Sequence, residues 1–77
     1  MSKSNKQVVN ITSEYITLGQ LLKFVDLIPS GAMAKEYIQE HEIFVNNEYC
    51  KMRGKKLYKG YVVNIDNSII LEISNEG

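Results

Sequence analysis

Two segments decide how this chain folds: Thr17-Leu18-Gly19-Gln20-Leu21-Leu22-Lys23-Phe24-Val25 and, past Pro29, Ser30-Gly31-Ala32-Met33-Ala34-Lys35-Glu36-Tyr37-Ile38. In the first, the Thr17 hydroxyl can accept from the Gln20 amide while the Gln20 side chain reaches back, a capping box, and Ile16 and Leu21 can close a hydrophobic staple around it. Leu18, Leu21, Leu22 and Val25 then follow the i, i+3, i+4, i+7 spacing of a core-facing helical stripe, with Lys23 pointing away from it. Pro29-Ser30 breaks this helix and starts a second, with Ser30 as N-cap and Gly31 leaving the first-turn amides unobstructed. On that helix Met33, Ala34, Tyr37 and Ile38 share one face, whereas Lys35 and Gln39 lie on another, so Lys35 faces solvent. Helices this short are unstable alone and must pack on each other and on something further.

The flanking sequence supplies that something. Gln7 to Thr12 (QVVNIT) reads as a short strand at a sheet edge. After Glu42 the period changes to two in Ile43-Phe44-Val45, then Asn46-Asn47 and Glu48-Tyr49 follow; Asn tolerates the positive φ of a tight hairpin turn. Gly54 is a bend and Tyr58-Lys59-Gly60 a turn. Tyr61 to Ile65 and Ile69 to Ile73 are two more strands, joined by Asp66-Asn67-Ser68. The expected fold is α+β, two short packed helices against a small, mainly antiparallel sheet. Seventy-seven residues cannot support two independent cores, so a flexible tail over 1–6 and a single domain over 7–77 are expected.

Composition removes several function classes. Cys50 is the only cysteine, which excludes an internal disulfide and a zinc knuckle. His41 is the only histidine, so paired-His metal sites and an oriented nucleophile triad have no material, and neither a catalytic role, a cofactor nor a small-molecule substrate is expected. No apolar run approaches the length that crosses a bilayer. The start MSKSNKQ lacks the apolar stretch of a secretory signal, so a cytoplasmic protein is expected.

Charge is balanced overall but unevenly placed. Residues 1–50 carry four basic and six acidic side chains, and residues 61–77 carry three acids and no base. Residues 51–60 carry Lys51, Arg53, Lys55, Lys56 and Lys59 with no acid. Such a local patch attracts polyanions even when the whole chain is neutral.

The ordered set Leu21-Leu22-Lys23, Ser30-Gly31-Ala32-Met33-Ala34-Lys35, Ile43-Phe44-Val45-Asn46-Asn47-Glu48, Arg53-Gly54-Lys55-Lys56-Leu57 and Gly60-Tyr61-Val62-Val63 resembles the S4 RNA-binding domain, and within it the small stand-alone bacterial S4-like proteins of the YaaA/YbcJ type. The resemblance spans residues 15–65. It implies an RNA-binding surface built from the helix pair and the following hairpin, with Ser30 and Lys35 on the second-helix face and Arg53, Lys55 and Lys56 in the basic loop. Thr17 stands where many such domains carry Arg, Gly31 where they carry a basic residue, Met52 at an often basic position, Asn47 at the usual turn Gly and Tyr61 at a common Asp. The first two departures imply a contact set unlike that of ribosomal S4 or the pseudouridine synthases.

These residue types suit phosphate recognition. Arg53 can clasp a phosphate with two hydrogen bonds or stack on a base, while Lys55 and Lys56 act as mobile point charges. The open start of the second helix at Gly31 and Ala32 adds backbone donors. A rigid patch of this kind reads the shape of structured RNA more than its sequence. Lys51, at the edge of the segment, reads as a solvated side chain beside its possible phosphate contact. Tyr49, Tyr58 and Tyr61 read first as packing and second as stacking partners for bases. His41 suits the end of the second helix, Cys50 a small apolar strand position, Met33 the core and Met52 the surface.

The expectation is a non-catalytic module that docks on structured RNA, with ribosomal or ribosome-associated RNA as the class the resemblance suggests. Its RNA-binding residues would be Ser30, Gly31, Lys35, Lys51, Arg53, Lys55 and Lys56. The alternative is a protein-interaction adaptor whose basic loop meets an acidic protein partner. The RNA reading requires the cationic loop and the amino end of the second helix to converge on one side of the molecule.

Overall fold

Thr17 and Gln20 form the expected capping box, with the Gln20 amide 3.3 Å from Thr17 Oγ1 and the Thr17 amide 3.0 Å from Gln20 Oε1. From this cap α1 runs over Leu18–Phe24 in the computed structural model, which describes residues 5–75. Leu18, Leu21 and Leu22 are fully buried. The helix ends before Pro29. Asp26 adopts φ 63°, the Asp26 amide donates to the Lys23 carbonyl and the Leu27 amide to the Leu22 carbonyl, a Schellman closure with an aspartate in the left-handed position usually held by glycine.

The second helix also differs from expectation at its start. A 3-10 turn over Gly31–Met33 leads into α2, Ala34–Glu40, and the Ser30 side chain makes no capping bond. This tighter first turn rotates Met33 out of the core, where it is 42% exposed, while Ala34 and Ile38 are buried as expected.

Five strands form one sheet in the order β1-β7-β6-β3-β4: β1 Asn5–Asn10, β3 Ile43–Val45, β4 Glu48–Tyr49, β6 Val62–Ile65 and β7 Ile69–Ser74. Only β1–β7 is parallel, and β1 forms an edge of the sheet. Strand β1 starts at Asn5, so the last two positions of the expected tail are paired with β7, and residues 1–4 lie outside the described residues. Val45 pairs with Glu48 around a turn in which Asn46 and Asn47 have φ 51° and 70°, as the sequence indicates. A separate two-stranded ribbon pairs β2, Tyr15–Thr17, with β5, Lys56–Tyr58. Its inner residues Ile16 and Leu57 are buried, and Tyr15, Thr17, Lys56 and Tyr58 occupy the opposite face. The core lies between the helices with this ribbon and the inner sheet face of Ile43, Val45, Val63, Ile65, Leu71 and Ile73. Among the described residues no helix is long and apolar enough to cross a membrane.

The β6–β7 turn is tied to the end of α2. Asp66 accepts from the Glu42 amide at 2.8 Å and meets His41 Nδ1 at 2.6 Å, while the His41 ring stacks on Tyr37 with centroids 4.0 Å apart. The hydrogen bond from His41, then the one from Glu42, holds the Asp66 carboxyl below its ordinary range; burial, with the Asp66 charge second, pushes the Tyr37 hydroxyl up. A carboxyl depressed in the folded state contributes stability that is present above its unfolded pKa and is lost as pH falls through the folded one. Urea unfolding of the wild type should therefore lose stability on acidification below the usual carboxylate range, and Asp66→Asn should flatten that part of the profile.

Candidate nucleic-acid interface

The basic segment is fixed at both ends of the helix pair. After β4 the Cys50 amide donates to the Ile43 carbonyl, and the Lys55 amide closes a turn onto Met52. The amides of Leu18 and Gly19, at the start of α1, donate to the carbonyls of Lys55 and Arg53 at 2.9 and 2.8 Å. Together with the Thr17 cap they satisfy the first three amides of α1. At Gly19 a Cβ would sit 3.4 Å from Ala34 Cβ and 3.4 Å from the Arg53 carbonyl, the near edge of ordinary contact, so a branched side chain there would meet both.

Lys51 has a different role from the one expected. Its ammonium donates to the carbonyls of Ile38, Gln39 and His41 at 2.8, 3.3 and 3.2 Å. All three of its donors are thus used on the end of α2, where a cation also suits the helix dipole.

Arg53 is exposed and lies where two grooves meet. One is lined by Thr17, Gln20, Lys23, Gly31, Ala34 and Arg53. The other is lined by Lys35, Ile38, Gln39, Lys51 and Arg53. Neither contains an acidic side chain. Gly31, Lys35 and Arg53 are therefore brought together, and Lys23 joins them. Ser30 is exposed but lines neither groove. A Cβ at Gly31 would meet nothing within 4 Å, so the fold does not require a glycine there.

The other two cations stand apart from Arg53. Lys55 is half-buried and lines a separate cleft with Val45, Glu48, Met52 and Tyr61. Lys56 lies on the outward face of the ribbon with its ammonium 5.0 Å from the Tyr15 ring centroid. There Tyr15, Tyr58 and Tyr61 form a row, with centroids 5.6 and 5.8 Å apart. Tyr49 is 57% exposed, and Cys50 is buried just past β4. Among the described residues Lys35, Arg53, Lys55 and Lys56 have no ion-pair partner, the recorded pairs being Lys6–Glu72 and His41–Asp66.

The S4 domain family matches residues 9–73. This chain belongs to the S4 domain family. It is 48% identical over 67 residues, 87% of its own length and 94% of the relative's, to the probable ribosome maturation protein RlbA of Bacillus subtilis strain 168. Of the loop cations expected to meet the second helix, Arg53 and Lys51 lie beside it, whereas Lys55 and Lys56 do not. Lys23 is the member that the sequence reading left out. Its signal is Gly19: a small residue in the first turn marks the face where another segment approaches, and Lys23 follows it at i+4 on that face.

Two outcomes follow from this geometry. Gly19→Val should force the loop off α1 and cost about 1–3 kcal/mol in urea unfolding, as overpacked sites do. Lys51→Met keeps the aliphatic stem and removes the helix cap; the expected cost is about 1 kcal/mol of stability, read by the same measurement.

Proposed function

We propose that this chain is a non-catalytic RNA-binding module that docks on structured RNA of the ribosome or its assembly, with Lys23, Lys35, Arg53, Lys55 and Lys56 as phosphate contacts. The observation that carries this reading is Arg53, exposed between two acid-free grooves that also bear Lys23 and Lys35. Membership of the S4 domain family and the similarity to a probable ribosome maturation protein support an RNA-binding, ribosome-associated role, and with it a cytoplasmic location.

The chemistry is electrostatic positioning. Guanidinium and ammonium groups displace the counterions condensed on phosphates, so affinity depends steeply on salt. The Arg53 fork can hold a phosphate with two bonds while Lys23 and Lys35 neutralise its neighbours from the helix surfaces. A-form RNA offers phosphates and 2′-hydroxyls across a wide minor groove, which a rigid protein ridge recognises by spacing. Lys51 is left out of the set because its donors hold α2. Ser30 is left out because its side chain lines neither groove.

Binding of a folded ribosomal RNA fragment measured across a salt series should give a log–log slope of roughly −3.5 to −4.5 for five contacts. Arg53→Ala/Lys55→Ala/Lys56→Ala should make that slope shallower by about one unit per cation removed, with the thermal melt retained. An affinity that ignores both the salt and the triple substitution would refute the RNA reading and favour an adaptor with an acidic protein partner.

A further inference from the structure

The cleft between the β3–β4 hairpin and the 51–55 loop has a makeup unlike that of the Arg53 grooves. Buried Val45 and Cys50 lie at its base, and Met52, 67% exposed, and half-buried Tyr61 contribute apolar surface. Its polar groups are Asn46, Glu48 and Lys55. Asn46 Oδ1 accepts from the Val62 amide at 2.9 Å, and its NH2 has no hydrogen-bond partner among the described residues, so both of its donors are unused. Glu48 has no ion-pair or hydrogen-bond partner among the described residues, and its carboxylate can only accept.

A carboxylate repels phosphate, so this cleft is no extension of the phosphate grooves. It calls for a flat, largely apolar group with N–H donors on one edge and acceptors on another. We propose that it holds one unpaired guanine of the bound RNA, an inference that rests on the docking reading above. Guanine alone among the four bases offers adjacent N1–H and N2–H donors to one carboxylate, and its O6 and N7 acceptors suit the Asn46 amide, leaving the Lys55 ammonium at the rim for the phosphate beside the base. Its ring would lie against Met52 and Tyr61, as unpaired bases lie on aromatic side chains in RNA complexes. Continuity favours RNA as the source, because Lys55 in the cleft and Arg53 in the grooves belong to one short turn closed by the Lys55–Met52 backbone bond.

The test uses three hairpin RNAs that differ at one stem position: an unpaired guanine, an unpaired uracil, or no unpaired base. The wild type should bind the guanine hairpin about tenfold more tightly than either of the others. Glu48→Gln, at an exposed hairpin position, should bring the three within about twofold and keep the salt slope of the wild type. Arg53→Ala should weaken all three and keep the guanine preference. Equal, salt-dependent wild-type affinities for the three hairpins, or a guanine preference that survives Glu48→Gln, would overturn the base cleft and leave the docking reading standing. Absence of salt-dependent binding to any hairpin would take both down. Guanosine monophosphate competing as well as the bulged hairpin would overturn the assignment to RNA.

Discussion

The fit of the Arg53 and Lys55 carbonyls onto the amino end of α1, close-packed at Gly19, is the constraint on which the rest of this protein depends. A seven-residue helix has no stability of its own in water, and its first amides must find acceptors. Here they find them in a segment more than thirty residues away in sequence. The same bonds hold a glycine-containing, lysine-rich turn in one conformation. Such a turn left free would lose conformational entropy on binding any ligand, and fixing it in advance removes that cost. The start of α1 and the conformation of the loop are thus joined at one contact.

The loop also governs the other helix. Lys51 crosses to the last carbonyls of α2, and Asp66, from the β6–β7 turn, ties down His41 and Glu42 just beyond. Each helix is closed at one end by a group from the loop, so the angle between the helices is set from outside the helix pair. That angle determines the spacing of Lys23, Lys35 and Arg53, three charges drawn from three elements. On the docking reading proposed above, this rigidity is what would keep the three charges in register with the phosphates of an RNA helix.

Features carried by neighbouring residues were legible in the sequence. The Thr17–Gln20 capping box, the Leu18-Leu21-Leu22 stripe, the Asn46-Asn47 turn and the β3, β6 and β7 strands each follow from a local pattern, and the structure contains all of them. Features decided by distant partners were not. The β2–β5 ribbon pairs two three-residue strands separated by the whole helical hairpin, and strands that short carry no period. Asp26 ends α1 in a conformation that propensity assigns to glycine. Lys51 looks like any solvated lysine until the end of α2 is placed beside it. Ser30 followed by Gly31 reads as a helix start, yet the 3-10 turn there takes no side-chain cap.

The neutrality of the chain follows from the same division of labour. Acids and bases are equal in number, but the described ion pairs, Lys6–Glu72 on the sheet and His41–Asp66 at the end of α2, lie on elements other than the loop. Among the described residues Arg53, Lys55 and Lys56 of the loop form no ion pair, while Lys51 is committed to the carbonyls of α2. Spread evenly, nine positive and nine negative charges would cancel beyond a Debye length of about 10 Å. Segregated, they leave a short-range positive field on one loop while the molecule avoids the self-repulsion and indiscriminate attraction of a strongly basic chain. On the docking reading proposed above, a small neutral domain in this way holds a polyanion at one orientation, with Glu48 at the border of that field as the limit of phosphate contact.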